Sequence, residues 1–189
     1  MKRAWLAGLV VVGALAAGCG DDGADNNSGD SGDNTGAAES NDGGDGETAE
    51  LPKFCDLLTP DQVSAAVGAA VTLTTGPFDA CEFKQEDPRA VSGSVGSVEV
   101  DTGNGGFDGY QSGITGTLTN PVEHPVEGLG DGAFVTTGTF GTGESLQTAG
   151  GVLVGGTVHT VNLSQASGMA EGELVAIAEK LLQLLVDAA

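Results

Sequence analysis

The apolar positions of the chain fall into three regimes. Residues 4–17 form an uninterrupted apolar stretch behind Lys2 and Arg3. Residues 20–50 hold no aromatic and no aliphatic larger than alanine, and residues 51–189 carry nearly all the remaining large side chains. In that last part the apolar spacing switches between a helical and a strand period, the pattern of one folded unit.

The folded part opens with Thr59-Pro60-Asp61-Gln62. This is a helix start, with Thr59 as cap, Pro60 at the first helical position and Gln62 closing a capping box. Val63, Ala66 and Val67 line one face of that helix, and Gly68 stops it. Residues 71–75, 81–85 and 94–101 read as strands. Phe107, Tyr110 and Ile114 fall at helical spacing, but the glycines around them predict only a short helix. Residues 121–126 lead into a turn cluster at Gly128-Leu129-Gly130-Asp131-Gly132. Strands are then expected at 133–137, 145–149, 152–154 and 157–163, with Gly150-Gly151 as a two-residue hairpin turn. A closing helix over 169–186, capped by Ser167, carries Leu174, Ile177, Ala178, Leu181 and Leu185 on one broad apolar face suited to covering a sheet. The predicted fold is α+β, a mostly antiparallel sheet of about six to seven strands covered by an N-terminal and a C-terminal helix.

Charge divides the chain in the same three places. Residues 1–18 carry two basic residues and no acid. Residues 20–50 hold seven Asp and three Glu with no base, and residues 51–189 hold eight Asp and nine Glu against four Lys or Arg, a net charge of −13. A chain this acidic repels a phosphate backbone, which argues against nucleic acid, and it lacks the Lys/Arg clusters that dock on anionic headgroups. The region 20–50 cannot bury enough apolar area to offset its ordering entropy and is expected to be a disordered, acidic tether. As a Gly-rich coil it would span about 30 Å. Its Asp and Asn positions do not make an EF-hand: counting from Asp25, Asp30 or Asp33, the twelfth loop position falls on Gly36, Asn41 or Gly44 rather than glutamate.

The first 18 residues read as a secretory signal, too short for a transmembrane helix. They end in Leu15-Ala16-Ala17-Gly18-Cys19, small residues directly before a cysteine. This stretch resembles the lipobox of bacterial lipoproteins, although the position that commonly holds Leu is Ala16 here. The resemblance implies that Cys19 is diacylated and becomes the mature N-terminus. Two acyl chains anchor a protein stably where one does so only marginally. The expected location is therefore the outer face of the cell membrane, with the lipid on Cys19 as the membrane contact. Cys55 and Cys81 remain, an even number in an oxidising compartment, and are expected to pair as a disulfide.

Catalytic patterns are weak. His124 sits in a turn-like stretch and reads as a surface residue; His159 lies mid-strand and reads as half exposed. Gly143-Glu144-Ser145-Leu146-Gln147 fails the nucleophile elbow at its last place, and there is no P-loop. Gly128-Leu129-Gly130-Asp131-Gly132-Ala133 fits a loose dinucleotide fingerprint but precedes a strand, so no helix dipole would hold a pyrophosphate. No catalytic residue, cofactor or metal ligand is assigned.

Residues 54–189 resemble the actinobacterial lipoprotein family designated domain of unknown function 3558. The resemblance runs through Cys55-Asp56-Leu57-Leu58-Thr59 with Val63 and Gly68, Cys81-Glu82-Phe83, the Gly128–Ala133 cluster and the Ala/Leu-rich last helix. Phe83 departs from the tryptophan or tyrosine commoner beside the second cysteine. The family implies a surface lipoprotein with a paired-cysteine α+β domain and brings no activity. A similarity limited to the first third of the domain, through the Thr-x-x-x-Val-x-x-x-x-Gly helix, points to small lipoproteins that help assemble outer-membrane proteins. The expected role is a non-enzymatic binding or accessory module for an envelope protein, a glycan or a small apolar ligand. The alternatives are a carboxylate-dependent hydrolase using Asp131, or a sensory or assembly partner.

Overall fold

The computed structural model describes residues 50–165 and 168–189. The signal, Cys19, all but the last residue of the tether, and the proposed cap Ser167 lie outside the described residues.

Two short helices start the domain. The one-turn helix α1 (Phe54–Leu57) was not expected from the sequence. It is followed by α2 (Pro60–Val67), whose capping box forms as read: the Gln62 N–H donates to Thr59 Oγ1 at 3.3 Å, and the Thr59 N–H donates to Gln62 Oε1 at 2.9 Å. Gly68 terminates α2 at φ +82°, a left-handed position that glycine takes without steric cost.

Seven strands then build one antiparallel sheet: β1 (Thr72–Thr75), β2 (Cys81–Lys84), β3 (Ser92–Glu99), β4 (Thr119–Pro125), β5 (Gly132–Thr139), β6 (Leu146–Val154) and β7 (Thr157–Ser164). Their order is β1-β2-β3-β7-β6-β5-β4, every neighbour antiparallel. Helix α3 (Gly106–Gly116) carries the chain from central β3 to the far edge at β4, and the meander β4 to β7 then returns to pair with β3. The closing helix α4 (Glu171–Ala188) begins two residues after the expected start, and the Glu173 carboxylate caps it by accepting from the Ala170 N–H at 2.9 Å. The fold is α+β, with helices from both ends of the domain packed on the sheet.

Helix α4 and the two N-terminal helices share one sheet face. Leu174, Ala178, Leu181, Leu182 and Leu185 are completely buried there, in one cluster with Phe54, Val63, Val135, Val152, Val161 and Leu163. Each fully buried aliphatic side chain contributes about 1.5–3 kcal/mol, so this face is the main source of stability. These side chains fill the space between sheet and helix.

The Gly150-Gly151 pair is a correction. It lies in the middle of β6, opposite Val135 and Phe134, and not in a turn. A side chain at Gly150 would meet the Phe134 carbonyl at 2.9 Å and Leu182 of α4 at 3.3 Å; one at Gly151 would meet Phe134 and Val158 at 2.9 Å and Tyr110 of α3 at 3.4 Å. The two glycines flatten both sides of the strand so that a helix can approach on each. The hairpin turn is instead Gly155-Gly156, both at positive φ, immediately before β7.

Candidate functional site: the open sheet face

Period-two alternation decides what the second face shows. Opposite α4, among the described residues, α3 covers β5, β6 and part of β4, with Phe107 and Tyr110 against Phe134 at ring distances of 5.7 and 6.2 Å, and Val158 of β7 is buried on the same side. Burial pushes the Tyr110 phenol up to about 12. The rest of this face carries Thr74 on β1, Glu82 and Lys84 on β2, Ser92 and Ser94 on β3, Asn162 and Ser164 on β7, and Gln147 on β6. These residues line a groove of about 460 Å³. Its floor includes Gly93, where a side chain would collide with Phe83 and Leu163 beneath the sheet. Gln147 Nε2 donates to Ser164 Oγ at 3.0 Å, and Lys84 is the one cation in the lining. Hydroxyl, amide, carboxylate and ammonium groups together can donate to and accept from a ligand at once. None of these residues was read as a site from the sequence, although Glu82 belongs to the Cys81-Glu82-Phe83 motif. The signal available there was the polar alternation in 92–97 and 157–164.

The histidines fall elsewhere. His124 belongs to β4, opposite Val135, rather than to a turn. Its Nε2 lies 3.1 Å from Thr137 Oγ1 and 3.3 Å from Glu171 Oε1, and the Thr137 hydroxyl donates to that same carboxylate oxygen at 2.5 Å. The hydrogen bond from Thr137, with that of His124 and its charge, holds the Glu171 carboxyl below its ordinary range. A nucleophile relay needs the carboxylate on one ring nitrogen and the hydroxyl on the other. Here one nitrogen faces both, and Thr137 is fully buried. The trio ties the first turn of α4 to the sheet.

His159 is the second correction: it is buried, not half exposed. It points to the α4 side because its register partners, Ser97 on β3 and Val152 on β6, share that face. Nδ1 lies 3.0 Å from Ser97 Oγ, and the ring packs edge-on against Phe54 at 5.3 Å. Burial lowers its pKa.

Cys55 of α1 and Cys81 of β2 form a disulfide, with Cα atoms 4.9 Å apart. Asp131 is structural: its carboxylate accepts from the Gly155 N–H at 3.0 Å, and its own N–H donates to the Leu153 carbonyl at 2.8 Å, fastening the start of β5 to the β6–β7 turn. Among the described residues no group of three or more His, Cys, Asp or Glu converges as a metal site, and no helix is long and apolar enough to cross a membrane. Comparison with known protein families, curated proteins and solved structures finds no match for this chain.

Proposed function

We propose that the protein is a lipid-anchored module of the cell envelope that binds a polyhydroxylated ligand, a glycan strand or its fragment, on its open sheet face. The observation that carries this reading is the groove of Thr74, Glu82, Lys84, Ser92, Ser94, Asn162 and Gln147, left uncovered beside a face packed by three helices. A sheet side that needed only solvation could be served by long charged residues throughout; apart from Glu82 and Lys84, the polar side chains of this one are hydroxyls and amides, which hold a sugar through directional hydrogen bonds. The filled interface under α4 argues against a small apolar ligand, and the structural role of Asp131 argues against the hydrolase reading.

Two further features support the location. The Leu15–Cys19 stretch supplies an anchor, and the acidic segment that follows supplies a spacer of about 30 Å. The motifs resembling domain of unknown function 3558 fall on the parts that fix the sheet: Cys55 to Leu57 lie in α1, Thr59 caps α2, and Cys81 to Phe83 lie in β2.

Labelling cells with an alkyne palmitate tests the anchor: the lipid signal is expected in the parent protein and absent in Cys19→Ser. Titrating the purified domain with envelope oligosaccharides tests the groove. The side-chain amide resonances of Asn162 and Gln147 should shift, and Asn162→Ala should weaken binding about tenfold, the effect of one or two lost hydrogen bonds. Unchanged amide resonances across the whole panel would reject the glycan reading.

A further inference from the structure

The two edges of the sheet are finished differently. Edge strand β4 carries Pro121 and Pro125, a register shift between Thr119 and Val122, and Asn120 at φ +51°. These are the devices that keep a sheet edge from pairing with another strand. Edge strand β1, Thr72-Leu73-Thr74-Thr75, has no proline, no bulge and no charge.

The ladder fixes which of its backbone groups point outward. The Gly76 N–H donates to the Ala80 carbonyl at 2.8 Å, so Gly76 turns its N–H toward the β2 side of the hairpin. Alternation along an antiparallel ladder then makes Thr74–Glu82 and Thr72–Lys84 the bonded pairs with β2. The N–H and C=O groups of Leu73 and Thr75 face away from the sheet.

The same hairpin holds a second anomaly. Phe78, in the loop from β1 to β2, is fully exposed, and it and Asp79 are consecutive non-glycine residues in the left-handed region, at φ +56° and +57°. A side chain with a Cβ is sterically disfavoured at both positions. The chain thus holds a strained turn that presents a phenyl ring to solvent beside a strand edge that no strand among the described residues pairs with. The nearby disulfide at Cys81 fixes the foot of this hairpin to α1.

We propose that β1 is a docking edge for an extended segment of another protein, neutral or basic in charge, with Phe78 as the aromatic contact that fixes its position. Outward amides at alternate residues recognise extended backbone and no other conformation. A second copy of this chain is a poor occupant, because two domains of net charge −13 repel. Residues 20–49 of this chain are equally acidic and rich in Gly, Asp and Asn, which are poor strand formers. A neutral or basic strand meets neither objection. The docking edge shares β1 with the glycan groove, whose lining includes Thr74, but it uses the outward backbone groups of Leu73 and Thr75.

The test uses Phe78→p-benzoylphenylalanine in the full-length chain in its own host, with irradiation and mass-spectrometric mapping of the adduct. The expected product joins position 78 to a neutral or basic segment of another protein. Thr75→Pro, which removes one outward N–H and leaves the bonds to β2 whole, should cut the adduct at least tenfold; Thr75→Ala and Asn162→Ala should leave it unchanged. The mapped segment, added as a synthetic peptide to the purified parent protein, should slow hydrogen exchange at the Leu73 and Thr75 amides, a measurement that decides the matter even if Thr75→Pro does not fold. An adduct with lipid or with a second copy, an adduct indifferent to a folded Thr75→Pro, amide exchange unchanged by the peptide, or no adduct overturns the proposal.

Discussion

Ser97 and His159 face each other directly across the β3–β7 ladder, Oγ 3.0 Å from Nδ1, with the Phe54 ring closing the far side of the imidazole. A neutral imidazole suits this place and an imidazolium does not, because burial penalises the charge.

The pH dependence follows from that. The folded-state pKa of His159 lies below its ordinary 6.5, so between the two values the unfolded chain binds a proton that the folded one refuses. The stabilisation is fully present above pH 6.5 and declines as pH falls below it, at no more than about 1.4 kcal/mol per pH unit. Urea midpoints measured from pH 8 to 5 should fall in the parent and stay flatter in His159→Gln. An equally steep decline in the variant would assign the effect elsewhere.

The glycines of β6 give a sharper contrast. Gly150→Ala and Gly151→Ala push a methyl group into Phe134, Leu182 or Val158 and should destabilise the domain by about 1–3 kcal/mol. Gly155→Ala meets nothing within 4 Å and bears only the left-handed penalty, about 1–2 kcal/mol. The double variant Gly150→Ala/Gly151→Ala should therefore lose clearly more than Gly155→Ala in chemical denaturation.

Removal of the disulfide as Cys55→Ala/Cys81→Ala reopens a closure between residues 26 apart. In the chain-entropy treatment this costs about 3–4 kcal/mol. The melting temperature of the domain should drop correspondingly, and reduction of the parent with dithiothreitol should reproduce the drop.

Glu171 offers a local test of the α4 tie. Thr137→Val removes the main donor that holds its carboxyl low, so the titration midpoint of the Glu171 carboxyl carbon in NMR should rise towards the ordinary 4.5. The native contact favours the ionised form, so its stabilisation is present above pH 4.5 and is lost as pH falls through the folded midpoint. An unmoved midpoint would show that the Thr137 contact is not what lowers it.

What the sequence determined by itself was local. The Thr59 and Gln62 cap, the Gly68 stop and the apolar face of the last helix depend on neighbours within a few residues and appear in the fold as read, whereas the strand alternation located the strands but split β6 at Gly150-Gly151. The α+β class follows from their order, and the cysteine count anticipated the Cys55–Cys81 bond. What only the tertiary structure decided was which face each position took and what lay across from it. Gly150-Gly151 carries a turn signal, and packing from two helices overrides it. His159 alternates with valines in sequence, but the β3 and β6 register turns it inward. The open groove draws on β1, β2, β3, β6 and β7, and among the described residues β1 stays an edge because the returning meander pairs with β3. Strand order is set by contacts between residues far apart in the chain, and a one-residue change of register would exchange the two faces.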